Sequence, residues 1–318
     1  MEIVAADIGG THARFALAEL VPGERPRIGD VRKYRTGEHD GLGSAWAAFA
    51  RDSGGALPRA AALAVAAPIE GELLTFMNSD WRIDRNKVAA ELGLEKLTLL
   101  NDFGAVAHTV SIMPPDMFVA LTGPGELPAD GLISVIGPGT GLGVSLLDRR
   151  SGGVRVIETE ASHIGFSPLD PEEEELADAL VARHGRASVE RVVSGPGLVD
   201  IYRFLGGGDR EPDKAGALWD AAIDGGDPLA AKALAILVRC FGAAAGDIAL
   251  AHGAMGVAIT GALAGRIADL LRSPAFEARF TAKGRYRARM QRTPVKLLTH
   301  QEPGLLGAAV AFGREHRG

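Results

Sequence analysis

Leu132-Ile133-Ser134-Val135-Ile136-Gly137-Pro138-Gly139-Thr140-Gly141-Leu142-Gly143 is an apolar run that breaks into glycines around one threonine, and Val144 to Leu147 resumes the apolar pattern. This order predicts a buried strand, a glycine-rich turn over Gly137 to Gly143, and a second strand. The N-terminus repeats it: Ile3 to Ala6 is apolar, Asp7-Ile8-Gly9-Gly10-Thr11-His12 is the turn, and Ala13 to Leu20 alternates. Two strand-loop-strand units about a lobe apart predict an α/β chain of two duplicated lobes, with hairpin tips facing each other across a cleft. Glycines let the backbone approach a bound group, and successive N–H groups beside a Thr hydroxyl form an anion-binding nest. Either hairpin alone is also an ordinary Gly-rich turn. Together they suit a polyphosphate.

Between the two loops lies Leu99-Leu100-Asn101-Asp102-Phe103-Gly104-Ala105-Val106-Ala107, an apolar strand that ends in an amide and a carboxylate and becomes a helix. In open α/β sheets, ligands bind in the crevice beyond the carboxyl ends of the strands. Asp102 is therefore a candidate general base. The competing assignment is a helix N-cap, which Asp fills well.

Composition sets the outer limits. A chain of 318 residues with 47% apolar residues builds a large core and exceeds the usual size of one domain. A net charge of −6 argues against non-specific nucleic-acid binding or adhesion to an anionic membrane. Cys240 is the only cysteine, which excludes a disulfide framework and a Cys-rich metal site and fits a reducing cytosol. The N-terminus has neither the basic region nor the long apolar stretch of a signal peptide. Leu229 to Leu250 is the longest apolar segment, but Lys232, Arg239 and Asp247 interrupt it. It predicts a buried helix, opened by Asp227-Pro228 and closed at His252-Gly253, rather than a membrane span.

Several further segments carry expectations. Ala61 to Ala67 predicts a central strand covered on both faces. A helix is expected from Arg85 to Leu92. The acidic run Glu172 to Glu175, behind Asp170-Pro171, suits the dipole of a helix start and needs no functional role. Glu160 and His163 share a loop of small residues, and both can point into one cavity. His163 is equally consistent with a structural role, and Glu190 with a surface position. Met255 to Leu263 predicts a strand, a tight turn and a helix start, a third place for close backbone approach. Lys283 to Arg289 is the one basic cluster, expected as a solvated face. Pro303-Gly304-Leu305-Leu306-Gly307 opens a final helix able to pack closely and to return to the first lobe.

These segments resemble the bacterial glucokinases, a family with the two-lobed, actin-like ATPase (ribonuclease H-like) fold. Asp7 to Thr11 resembles the family's first phosphate loop, Gly137 to Gly143 the second, and Thr260-Gly261 the adenosine motif. Leu100-Asn101-Asp102-Phe103 resembles the segment of the catalytic aspartate. Glu160-Ala161-Ser162-His163 and Glu190-Arg191-Val192-Val193-Ser194-Gly195-Pro196-Gly197-Leu198 resemble the two sugar-binding segments. The resemblance implies ATP-dependent phosphorylation of glucose with Asp102 as base. Asn78, Asn101, Asp102, Glu160, His163 and Glu190 would contact the sugar. Asp7, Gly9, Gly10, Thr11, Gly139, Thr140, Gly141 and Gly261 would contact ATP, with Mg²⁺ held by Asp7 through water. A small domain of residues 1–111 and 303–318, a large domain of 112–302, a cytoplasmic homodimer, and no nucleic-acid or membrane partner complete the expectation. Another hexose, such as mannose or an amino sugar, and a non-catalytic sugar-binding regulator are the alternatives. The sequence also departs from the family pattern, with His12 where Asn is common and Gly261-Ala262 where a Gly-Gly pair is usual. The Ala262 methyl is expected to crowd the nucleotide.

Overall fold

A computed structural model describes residues 1–76, 79–208 and 215–316. The chain divides into two compact units, Met1–Met113 with Glu302–Gly318, and Pro114–Gln301.

In the first unit, β1 (Glu2–Ile8) turns through Gly9-Gly10-Thr11 into the antiparallel β2 (His12–Glu19). Both β3 (Arg27–Ile28) and β4 (Arg32–Arg35) pair with β2. Helix α1 (Leu42–Asp52) leads to β5 (Ala60–Val65), which lies parallel to β1. A two-stranded sheet of β6 (Leu73–Thr75) and β7 (Arg82–Asp84) and the single turn α2 (Val88–Glu91) lead to β8 (Lys96–Asn101), parallel to β5. Helix α3 (Asp102–Val110) follows directly, and the C-terminal helix Pro303–Glu315 belongs to this unit. The order of the sheet is β3-β2-β1-β5-β8.

Alternation along β5 explains its burial on both faces. Ala61, Leu63 and Val65 join Trp46 and Phe49 of α1, whereas Ala60, Ala62 and Ala64 meet Leu305, Ala308 and Phe312 of the C-terminal helix. The helix expected from Arg85 to Leu92 is shorter than its sequence suggested. Its head is a turn in which the Asp84 carboxylate accepts from Asn86 N–H at 3.0 Å, and Gly93 ends it in the left-handed region at φ 68°.

The second unit repeats the plan. β10 (Leu132–Pro138) forms a hairpin with β11 (Leu142–Asp148), which pairs with β12 (Arg155–Thr159). On the other side of β10 lie β13 (Gly256–Ile259) and β14 (Val295–Leu298), both parallel, and β9 (Phe118–Thr122) closes the edge antiparallel. In both units a hairpin's first strand is central, with antiparallel strands on one side and two later parallel strands on the other. Gly137 and Gly143 are paired strand residues, so the loop is confined to Gly139-Thr140-Gly141, matching the length of Gly9-Gly10-Thr11.

The helices of this unit are α4 (Pro171–His184), α5 (Val189–Val192), α6 (Gly195–Phe204), α7 (Ala215–Asp224), α8 (Pro228–His252), α9 (Ala262–Arg266), α10 (Ala268–Leu271), α11 (Pro274–Thr281) and α12 (Arg287–Met290). Helix α8 is the core helix its caps predicted: the Asp227 carboxylate accepts from Leu229 and Ala230 N–H, and Gly253 closes it at φ 65°. It is long and apolar enough to cross a membrane, yet 78% of its apolar window is buried within the fold. A Cβ on Gly242 or Gly246 would run into the carbonyls of Phe276 and Phe280, so these glycines set how closely α11 approaches α8.

Two charge clusters differ from expectation. Glu173 does not merely serve a helix start; it is fully buried and receives Arg239 Nε at 3.0 Å, Arg279 at 2.6 Å and Leu169 N–H at 2.9 Å. This network ties α4, α8 and α11 together. Removing one member of a buried pair costs more than the pair contributes, because the remaining charge is left uncompensated. Glu173→Gln is therefore expected to lower stability by about 3 kcal/mol, read as a fall in the urea midpoint. The basic cluster is likewise not a solvated face throughout. Lys283 is nearly buried, bonded to Asp247 at 2.7 Å and to Ala243 O at 2.9 Å, while Arg289 donates to Gly253 O and Ala254 O just past the end of α8.

In the first unit, His108 Nδ1 faces Arg314 at 2.8 Å. Burial, reinforced by that cation, drives the imidazole pKa down to about 4. An unfolded histidine titrates near ~6.5. Between these values the unfolded chain binds the extra proton, so stability is full above ~6.5 and is lost as pH falls toward about 4. Unfolding free energy at pH ~5 is expected to lie about 2 kcal/mol below its value at pH ~7 through this group. In His108→Gln, which keeps an acceptor for Arg314, urea titrations should show that part of the difference removed.

Candidate active site

The first loop is buttressed from behind. Thr36, itself buried, donates its hydroxyl to Gly10 O at 2.6 Å and its N–H to Thr11 O at 3.1 Å. Trp81 Nε1 in turn donates to Thr36 O at 3.2 Å and to His39 O at 3.0 Å. Within the loop, Gly9 N–H closes onto His12 O at 2.9 Å. The tip is thereby held with the carbonyls of Gly10 and Thr11 occupied, which suits a nest that presents N–H groups to an anion.

Asp7, the penultimate residue of β1, lies opposite Arg14 of β2, whose guanidinium is 3.4 Å from Asp7 Oδ2 and 3.6 Å from Glu302. A Cβ on Gly304 would come within 2.8 Å of Asp7 Cγ and Oδ2, so that glycine is what lets the C-terminal helix begin against the carboxylate. Burial raises the Asp7 pKa, and Arg14 pulls it back. Neither Arg14 nor Glu302 was nominated from sequence. Arg14 could have been found by counting the hairpin register outward from Gly9-Gly10-Thr11, but Glu302 depends on packing from the far end of the chain.

At the end of β8 the structure corrects the choice of cap. Asn101, not Asp102, is the N-cap of α3: its Oδ1 accepts from Phe103 N–H at 2.9 Å and Gly104 N–H at 3.2 Å, and its Nδ2 donates to Ala67 O at 3.4 Å. The amide carries both a donor and an acceptor, so it can bind the helix start and the neighbouring strand at once. Asp102 is the first helical residue, half-buried, with Oδ1 accepting from Phe103 N–H at 2.8 Å. Asn78 lies outside the described residues.

Three segments distant in sequence meet in the second unit. Gly139 N–H closes the loop onto Gly141 O at 2.7 Å. Glu190, on α5, accepts from Leu142 N–H through Oε2 at 3.0 Å. Gly195 N–H, at the start of α6, donates to Gly139 O at 2.7 Å. The segment from Glu160 is laced to the same region: Val189 N–H donates to Ile164 O at 3.0 Å, Phe166 N–H to Ala187 O at 3.0 Å, and Gly165 bridges Ser188. Glu160 and His163 stand together, with Oε2 3.7 Å from Nε2, both exposed, and Arg186 reaches His163 O at 3.2 Å.

Thr260-Gly261-Ala262 follows β13 beside this loop. Gly261 has φ 101°, a conformation open chiefly to glycine, and its Cβ position lies 3.2 Å from Pro138 O. The backbone requirement is thus met at Gly261, and Ala262 begins α9. Among the described residues no group of three or more His, Cys, Asp or Glu side chains forms a metal cage.

The family model of the glucokinases matches residues 4–315. This chain belongs to the glucokinase family. It is 45% identical over 321 residues to a glucokinase of Zymomonas mobilis, covering 99% of each chain. Against a glucokinase of Xanthomonas campestris the identity is 39% over 318 residues, covering 96% of this chain and 93% of the other. Its structure is similar to that of a glucokinase from an Antarctic psychrotroph, with TM-score 0.82 at 28% identity, covering 98% and 99% of the two chains. The mixed α/β sheets of this glucokinase-family chain are therefore those of the actin-like ATPase fold that the resemblance implied.

Proposed function

We propose that this glucokinase-family enzyme transfers the γ-phosphoryl group of ATP to the 6-hydroxyl of D-glucose. The observation that carries the proposal is the division of labour at the start of α3, where Asn101 caps the helix and Asp102 is not needed for that purpose. Asp102 accepts the proton of the sugar 6-hydroxyl as that oxygen attacks the γ-phosphorus in line. Glu190, Glu160 and His163 orient the remaining hydroxyls, with Asn78 and the amide of Asn101 as further contacts. The loops Gly9-Gly10-Thr11 and Gly139-Thr140-Gly141 bind phosphoryl oxygens through their amides, and Gly261 admits the nucleotide close to the backbone. Little covalent work falls to the protein, so positioning and charge stabilisation supply most of the acceleration.

Asp7 fits a magnesium ion held through water. It is a single carboxylate beside a phosphate loop, and Mg²⁺ keeps several waters and takes one or two carboxylates together with substrate phosphates. Bound there, the ion would neutralise phosphate charge. A homodimer in the cytosol is the assembly and compartment that the family implies.

A coupled assay of ADP release across a panel of hexoses and nucleotides tests the proposal. Glucose with ATP should give the highest kcat/KM. A preference for mannose or an amino sugar would overturn the substrate, and sugar binding without turnover would make the chain a regulator.

A further inference from the structure

Glu190 does more than face a sugar. In this structure its carboxylate is bonded to the second phosphate loop, and Gly141 is the residue that permits it: a Cβ there would lie 2.5 Å from Glu190 Oε2. Local structure holds Glu190 in place. The Ser188 hydroxyl caps α5 by accepting from Arg191 N–H, and the buried Val189 and Val192 anchor its apolar side. Immediately after it, Ser194 caps α6 by accepting from Gly197 N–H at 3.1 Å. The N–H of Gly195, which the helix itself leaves without a partner, goes to Gly139 O. The segment that carries the sugar-facing carboxylate therefore grips the loop at Gly139 and at Leu142.

We propose that Glu190 is a shared carboxylate, one oxygen fastening Leu142 N–H and the other receiving a sugar hydroxyl, so that sugar and nucleotide bind cooperatively. This rests on the assignment of Glu190 as a sugar contact. A sugar hydroxyl on Oε1 stops rotation of the carboxylate and so pins Oε2 on the loop. The ordering cost of the phosphate loop is then already met when the nucleotide arrives, and nucleotide binds tighter to the sugar-loaded enzyme. Thermodynamic linkage requires the reverse effect to be equal, with nucleotide tightening sugar by the same factor.

Gly141→Ala tests this without unfolding the chain, because the atom displaced is the far end of a flexible side chain and Gly141 lies outside the left-handed region that favours glycine. Dissociation constants for a non-hydrolysable ATP analogue, with and without saturating glucose, and for glucose alone, are measured by calorimetry. In the unaltered enzyme glucose should tighten the analogue at least about 5-fold. In Gly141→Ala that ratio should fall to about 1, and glucose alone should bind about 10-fold more weakly, although residue 141 itself meets no sugar. An unchanged ratio in Gly141→Ala would overturn the proposal. So would tighter sugar-free analogue binding, since the carboxylate would then be blocking the loop rather than fastening it. Glu190→Gln separates the two levels. If it leaves glucose affinity intact, the sugar contact itself is wrong; if it weakens glucose while Gly141→Ala keeps the coupling, only the shared role fails.

Discussion

Asp102→Asn lowers kcat by about 10³-fold, equivalent to roughly 4 kcal/mol of transition-state stabilisation, while glucose still binds and the thermal midpoint stays close to that of the unaltered enzyme. The expectation follows from the start of α3. Asn101 already supplies the acceptor for Phe103 and Gly104 N–H, so the helix keeps its cap when the carboxylate becomes an amide. An Asn at position 102 can still accept from Phe103 N–H, so the local shape is preserved and only proton-accepting power is lost. Steady-state kinetics with ATP and glucose, alongside calorimetric glucose binding, make the comparison. Turnover within about 3-fold of the unaltered enzyme would remove Asp102 as the base, since general-base catalysis contributes ~10²-fold or more. A collapse of folding would instead return it to a structural role.

The second large effect is expected at Gly307, which is not itself a proposed ligand contact. A Cβ at this position would overlap Ala105 O of α3 and come within 3.0 Å of Thr109 Oγ1. The clash is with backbone, which has no rotamer to yield, and Thr109 already donates to Pro303 O at 2.6 Å across the same crossing. Relief requires the C-terminal helix and α3 to separate, with loss of the contacts that Leu305, Ala308 and Ala309 make in the core. Gly307→Ala should cost more than about 4 kcal/mol, beyond the usual range for overpacking, and is read from urea unfolding of the first unit. Because α3 carries Asp102 at its head, protein that still folds should lose kcat as well. A midpoint shift of less than about 1 kcal/mol would show that the two helices are not held at this distance.

Much of the architecture was legible before any coordinates. Asp227-Pro228 and Gly253 bracket α8 because a cap, a first-turn proline and a left-handed exit are local requirements. The two glycine loops stood out because strand periodicity stops at them and resumes after them. The helix expected over Arg85 to Leu92 is realised only as Val88–Glu91, because the Asp84 carboxylate at the end of a strand accepts from Asn86 N–H and holds the head of that span in a turn. Asn101 and Asp102 were harder to tell apart, since both are good caps and only the backbone at residue 101, at φ −66° and ψ 148°, decides which one precedes the first helical turn.

The roles of the charged residues were the least legible. Glu172 to Glu175 suited a helix start and Lys283 to Arg289 a solvated face, yet Glu173 and Lys283 turned inward to partners 106 and 40 positions away in sequence. The contact of Glu190 with the loop at Leu142 spans 48 positions, and it depends on a glycine at 141 whose missing side chain leaves no trace in composition.

The main strands, the two glycine turns and the cap and exit of α8 are thus properties of the local sequence, because each depends on residues within a few positions of one another and on a period of two or 3.6, and the duplicated plan shows as the recurrence of one such local pattern. Which amide Glu190 holds, which carboxylate Arg14 meets and how near Gly307 comes to Ala105 were decided only by the tertiary structure. Such pairings are set by how whole elements pack, and packing brings together groups that have no local signal for one another.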